Sequence, residues 1–135
     1  MKITTWNIRG LGSRRKQRNL SNRIRKEKPN IVFIQETKCS VEKIREKHSK
    51  WLKKYEYIEV KVNKFVGGIL TLLDPLKFGM LDVEASRHHL CLIIQPVGDK
   101  QCYMITNVYG TQRMEDKLQL LTTLEDMKKR YPTLP

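Results

Sequence analysis

"TTWNIRGLG" (residues 4–12) and "IVFIQETK" (residues 31–38) decide how this chain folds. Each contains a short apolar run that ends on a polar residue, Asn7 in the first and Glu36 in the second. "KITTWNI" (2–8) reads as a strand. Gly10-Leu11-Gly12 then turn the chain, and Ser13 is placed to cap a helix over roughly 14–28. Leu20 and Ile24 share one face of that helix, basic residues fill the rest, and Pro29 stops it. "IVFI" (31–34) is apolar without a break, the pattern of a strand buried on both faces. Strand, helix and strand within about thirty residues make a βαβ unit. Both strands then run parallel, and both polar ends leave the same edge of one sheet.

Further along, "SVEKIREKHSKWLKKY" (40–55) resumes a helical period, with Val41, Ile44, His48, Trp51 and Tyr55 along one side. His48 reads there as a packed or half-exposed helix residue, not a ligand. Strands are expected over 56–62, 65–74, 79–85, 89–95 and 101–109, punctuated by Asp74-Pro75 and Gly98-Asp99. Gly67-Gly68 inside a strand implies a bulge or a close backbone approach. A last helix, about 113–130, carries Met114, Leu118, Leu121, Leu124 and Met127 near helical spacing and ends at Tyr131-Pro132. The order β-α-β-α-β-β-β-β-β-α predicts one α/β domain over 1–135, a mixed sheet with helices on a single face. "ILTLL" and "LCLII" are apolar on both sides, so the bare face needs a cover, through self-association or a segment not present here.

A chain of 135 residues suits one domain and is short for two. Its longest apolar run is only a few residues, which excludes a membrane-spanning helix, and Met1-Lys2-Ile3 leads into a strand with no secretory signal. An intracellular protein is expected. Cys39, Cys91 and Cys102 agree with that: odd in number, widely spaced and without a CxxC pair, they read as reduced thiols. The net charge of +13 is unevenly spread. Residues 1–64 hold 19 Lys/Arg against 6 Asp/Glu, whereas 65–135 hold 8 against 8. The stretch 14–28 alone has eight basic residues and one acid. Such asymmetry points to a polyanion, because each neutralised phosphate releases a condensed counterion. The competing account is a solvated helix face.

Four segments, "WNIRGL" (6–11), "KPNIVFIQETK" (28–38), "VGGILTLLDP" (66–75) and "MITNVYG" (104–110), resemble in order and spacing the endonuclease/exonuclease/phosphatase superfamily. The chain looks most like the N-terminal endonuclease domain of plant-like non-LTR (long interspersed element type) retrotransposon polyproteins. The resemblance implies the N-terminal half of a DNase I-like four-layer α/β sandwich, two sheets face to face with helices outside. It also implies a Mg²⁺-dependent phosphodiesterase that nicks target DNA, in the nucleus if the retrotransposon reading holds. By the same resemblance Glu36 is the magnesium-binding glutamate, Asn7 helps hold the metal and the scissile phosphate, and Tyr109 offers its hydroxyl to the phosphate. Arg9, Arg14, Arg15, Lys16, Arg18 and Lys38 are the candidate DNA-binding residues. Gly110-Thr111 departs from the Tyr-[Ala/Gly]-Pro more usual in the family. The chemistry is reasonable on its own terms, since Mg²⁺ takes oxygen ligands and often only one or two carboxylates, with water and substrate phosphate completing the shell.

The resemblance also implies an aspartate–histidine base and a Gly-Asp-x-Asn segment, and neither is found. His48, His88 and His89 all precede where those motifs belong, and Gly98-Asp99-Lys100-Gln101 reads as a hairpin turn. His88 and His89 are adjacent, so on a strand they would face opposite ways. The expectation is a truncated DNA phosphodiesterase, inactive alone, completed by a missing C-terminal half. A non-catalytic nucleic-acid-binding remnant and an unstable relic without function are the alternatives.

Overall fold

The computed structural model describes residues 1–42, 44, 52–60, 67–110 and 113–131. β1 (Ile3–Asn7), α1 (Arg14–Glu27) and β2 (Ile31–Gln35) form the expected βαβ unit, and β1 pairs parallel to β2 with Asn7 opposite Gln35. Ser13 caps α1 by accepting from the Lys16 amide. Lys28 closes the helix in the left-handed region, donating its N–H to the Ile24 carbonyl. After a short 3₁₀ turn (Leu52–Lys54) come β3 (Glu56–Val60) and β4 (Ile69–Leu73). β5 (Phe78–Ala85), β6 (His89–Pro96), β7 (Tyr103–Val108) and α2 (Met114–Arg130) follow. Residues 41, 42 and 44 are helical, but most of the helix expected over 40–55, including His48 and Trp51, lies outside the described residues. So do positions 61–62, 65–66 and 111 of the expected strands and loop.

The strands do not form one mixed sheet. They form two: β1-β2-β4-β3, with the β1–β2 pair parallel and the rest antiparallel, and an antiparallel β5-β6-β7. Residue parity explains why. In β2, Val32 and Ile34 join Leu20, Ile24, Leu70 and Leu72 in a core beneath α1. Ile31 joins Leu73, Phe78, Leu92, Ile94 and Ile105 in a second core between the sheets, with Phe33 packed against it. Two cores on opposite faces of β2 and β4 need two covers: α1 lies over one face and the second sheet packs on the other. The face expected to be bare is the one the second sheet covers. Every residue of β4 is buried accordingly.

On the far side of β6, Cys91 and Ile93 are also buried. α2 is fastened at that side: Arg130 pairs with Glu84 of β5, the Tyr131 hydroxyl donates to Asp82 at 2.8 Å, and Met127 is its one buried residue. Met114, Leu118 and Leu121 of the same helix stay exposed. None of the three cysteines, Cys39, Cys91 and Cys102, forms a disulfide. Among the described residues no helix is long and apolar enough to cross a membrane.

His89, first residue of β6, is 1% exposed and its Nδ1 lies 2.5 Å from Ser86 Oγ. Burial pushes its imidazole below the ordinary value of 6.5. On acidification the unfolded chain therefore takes up this proton first. The contribution of His89 to stability is complete above pH ~6.5 and is lost as pH falls from there through the lower folded value. Urea unfolding should show a lower midpoint at pH 5 than at pH 7.5, and His89→Gln should shrink that difference. An equal pH response in the variant would rule out this origin.

Candidate active site

Three chain segments meet at the edge where β1 and β2 end. The parallel ladder continues beyond both strands: Ile8 donates to the Gln35 carbonyl at 3.0 Å, Gly10 to Glu36 at 2.6 Å and Leu11 to Thr37 at 2.7 Å. The third segment joins through Thr37, donating to Gly68 O at 3.2 Å, and Lys38, donating to Gly67 O at 2.9 Å. Gly67 and Gly68 sit at φ +75° and +99°, a conformation that only glycine adopts without strain, so the pair serves this lacing and is not a bulge within a strand. Arg9, Glu36 and Lys38 are also left-handed, at φ 49°, 55° and 52°. Non-glycine residues pay for that conformation, and three of them around one edge mark a site whose side chains are aimed at some energetic cost.

The geometry brings Asn7 and Glu36 into direct contact, with Asn7 Nδ2 donating to Glu36 Oε1 at 3.1 Å. Asn7 Oδ1 accepts from the Arg9 amide at 3.3 Å, which orients the carboxamide. Tyr109, one residue past β7, brings the second sheet to the same spot. Its phenol is pushed above the ordinary tyrosine value by burial first, then by the charge of Glu36 and a hydrogen bond to it. Removing the phenolic proton would place two negative charges side by side, so the hydroxyl stays a donor.

Beneath the trio lies a buried polar clip that the sequence reading did not single out. Gln35 Nε2 donates to Thr5 Oγ1 at 3.1 Å and to Asn107 Oδ1 at 2.6 Å. Asn107 Nδ2 donates to the Leu70 carbonyl at 3.1 Å and to Thr71 Oγ1 at 3.2 Å. Gln35 precedes Glu36 and Asn107 lies two residues before Tyr109, so the clip registers the two sheets where the site is built. A signal was available: Gln35 has the parity of Ile31 and Phe33, and Asn107 that of Tyr103 and Ile105, so both amides point into the inter-sheet core.

The basic residues separate into distinct roles. Arg14, Arg15 and Arg18 are exposed on the first turns of α1. Lys16 is not a free cation there: its ammonium donates to the carbonyls of Ile8 at 3.0 Å and Arg9 at 2.8 Å, pinning α1 to the loop after Asn7. Arg9 and Lys38 are each two residues beyond Asn7 and Glu36 and are exposed, and the stem of Lys38 lies over Gly10. Arg23 is held over Trp6, 5.0 Å from the ring centroid, and pairs with Glu27 at 3.3 Å.

The donor set decides which ion could fit. Glu36 supplies a half-exposed carboxylate steadied by two donors, beside an amide. Among the described residues no group of three or more His, Cys, Asp or Glu side chains converges. One carboxylate beside an amide is a sparse, oxygen-donating set. It does fit a hydrated Mg²⁺ that keeps waters and shares a substrate phosphate.

Residues 4–118 match the sequence profile of the Endonuclease/Exonuclease/phosphatase family. The fold is similar to that of the human Nocturnin catalytic domain with bound sulfate (12% identity, TM-score 0.73, covering 96% of this chain and 59% of that one). It is also similar to D. rerio TDP2 complexed with a single-strand DNA product (20% identity, TM-score 0.67, 95% and 54%). A third likeness is to the AP endonuclease LMAP from Leishmania major (21% identity, TM-score 0.62, 82% and 40%). The chain thus spans between 40% and 59% of the length of these three structures. No curated protein matches it in sequence.

Truncating the clip strands its buried partners, each at a cost of about 1–3 kcal/mol. Asn107→Ala removes one acceptor and two donated bonds, and the expected loss of unfolding free energy is about 2–4 kcal/mol by urea titration. A loss below about 0.5 kcal/mol, the size of an ordinary surface substitution, would show that the sheets are held without it.

Proposed function

The chain belongs to the endonuclease/exonuclease/phosphatase family, and from that premise we propose that Asn7, Glu36 and Tyr109 are the ion- and phosphate-holding part of a nucleic-acid phosphodiesterase. The observation that carries this reading is the hydrogen bond from Asn7 to Glu36 at 3.1 Å, with the Tyr109 phenol against the same carboxylate. Glu36 is the anionic ligand to a divalent cation, Mg²⁺ by the oxygen donors that Glu36 and Asn7 supply. Asn7 orients that carboxylate and offers its own oxygen. Tyr109 donates its hydroxyl to a non-bridging phosphate oxygen. The ion, when bound, polarises the phosphate and offsets charge that develops on it. Arg9 and Lys38 flank the scissile group, and Arg14, Arg15 and Arg18 follow the backbone further out, while Lys16 holds the loop.

The substrate reading is DNA. It is supported by the excess of 19 basic over 6 acidic residues in positions 1–64 and by the four motifs in register. The finer assignment, within the same proposal, is the endonuclease of a long-interspersed-element retrotransposon polyprotein nicking target DNA in the nucleus. The attacking water needs a proton acceptor within hydrogen-bond reach. His88, the imidazole near Tyr109, has both ring nitrogens sealed from solvent. The proposal gives the acceptor role to a segment outside residues 1–135, which on this reading bind without turning over.

Two measurements test this. Mg²⁺ titration followed by NMR should shift the Asn7 side-chain amide in the wild type, and Glu36→Gln should weaken the response by more than about tenfold, the scale of a lost charged ligand. In Mg²⁺ the chain should nick supercoiled plasmid no faster than a Glu36→Ala control; robust nicking that depends on Glu36 would overturn the division of labour.

A non-catalytic nucleic-acid-binding role is the second reading, favoured by the exposed Arg14, Arg15 and Arg18. Replacing all three by Gln should reduce the slope of log affinity against log salt by about 0.7–0.9 per lost phosphate contact. An unchanged slope would remove α1 from the interface.

A further inference from the structure

We infer that His88 is a positioning residue for Tyr109, a flat wall that holds the phenol ring so that its hydroxyl meets Glu36 and a bound phosphate. This deepens the phosphate-holding role proposed above and rests on it. His88 lies in the bend between β5 and β6, and Tyr109 just follows β7. The Tyr109 amide donates to the His88 carbonyl at 2.8 Å, so the two residues are joined through the backbone. Their rings run nearly parallel, 19° apart, with centroids at 6.4 Å, an offset contact. On the α2 side, Asp116 Oδ2 stands 3.9 Å from His88 Nε2, too far for a hydrogen bond. The bend itself is fixed. Ser86 Oγ accepts from the His88 amide at 3.1 Å and meets His89 Nδ1 at 2.5 Å, while the Ser86 amide donates to the His89 carbonyl at 2.9 Å.

Burial chooses between the roles open to this imidazole. Both ring nitrogens are sealed from solvent and have no hydrogen-bond partner, so the imidazole meets its surroundings through its ring faces and edges. What the ring does touch is the phenol, which lies beyond the last residue of its strand and gains its direction from neighbouring side chains. His88 acts on substrate only through Tyr109.

The test uses the whole chain, with Mg²⁺ alone and then thymidine 5′-monophosphate in Mg²⁺ as probes, both followed by NMR and calorimetry. His88→Ala should weaken nucleotide binding about three- to tenfold, the scale of one aromatic contact. It should leave the affinity for Mg²⁺ alone unchanged, and His88→Phe should restore nucleotide binding. In a double-mutant cycle the losses from His88→Ala and Tyr109→Phe should not add, since both work through one hydroxyl. Nucleotide binding that survives His88→Ala, a failure of Phe to restore it, or additive losses would overturn the inference. If the Ala variant does not fold, His88→Gln and His88→Phe are compared instead, and equal binding by the two counts against a ring-specific wall. Wild-type nucleotide binding that is indifferent to Glu36→Gln would instead sink the site reading itself, and the inference with it.

Discussion

The structure depends on a pair of buried amides. Gln35 and Asn107 face each other across the space between two sheets, 2.6 Å apart, beside an apolar core whose contacts tolerate sliding. Apolar faces set how strongly two sheets adhere but say little about register. A hydrogen bond between buried groups does the opposite: its net contribution is modest, and its cost when broken is large. With Thr5, Thr71 and the Leu70 carbonyl recruited as partners, three strands of one sheet are tied to the last strand of the other. Glu36 and Tyr109 are the next polar groups along those same strands. The site is therefore a consequence of the register, and a slip of one residue would turn both side chains to the wrong face.

The second constraint is the lacing of the loops. Backbone hydrogen bonds carry the parallel ladder from β1 and β2 into residues 8–11 and 35–37, then across to Gly67 and Gly68. Three left-handed side-chain-bearing residues, Arg9, Glu36 and Lys38, sit in this lattice. Lys16 adds the remaining fastening by bonding two carbonyls of the first loop, so one conspicuous basic residue holds the scaffold while its neighbours face solvent. Net charge alone does not distinguish those roles. Hydrogen-bond partners do.

Much of the fold was legible in the residues themselves. Ser13 as a cap, Leu20 and Ile24 as the buried stripe and Pro29 as the stop bounded α1, and the apolar run at 31–34 announced a strand with two covered faces. The number of sheets was not legible from periodicity, because "LCLII" looks the same whether a helix or another sheet covers its second side. The family resemblance supplied that, and the separate pairing of β5-β6-β7 agrees with it. At the site, the meeting of Asn7 with Glu36 followed from the parallel βαβ unit, since both ends leave one edge. The clip and the neighbourhood of His88 were missed because Asn107 lies 72 residues from Gln35 and Asp116 lies 28 from His88 (116 − 88).

What the sequence determined by itself was local: which residues cap, stop and alternate, and that an acid and an amide would emerge side by side after two parallel strands. Those outcomes depend on steric and hydrogen-bonding preferences acting over a few residues or one short crossover. What only the tertiary structure decided was which distant groups share a boundary. Tyr109 reaches Glu36, and His88 reaches Tyr109, because two sheets pack with one particular register. That register is chosen by the shape of a shared core and by two buried amides that must find each other, a condition on the whole chain that no short segment contains.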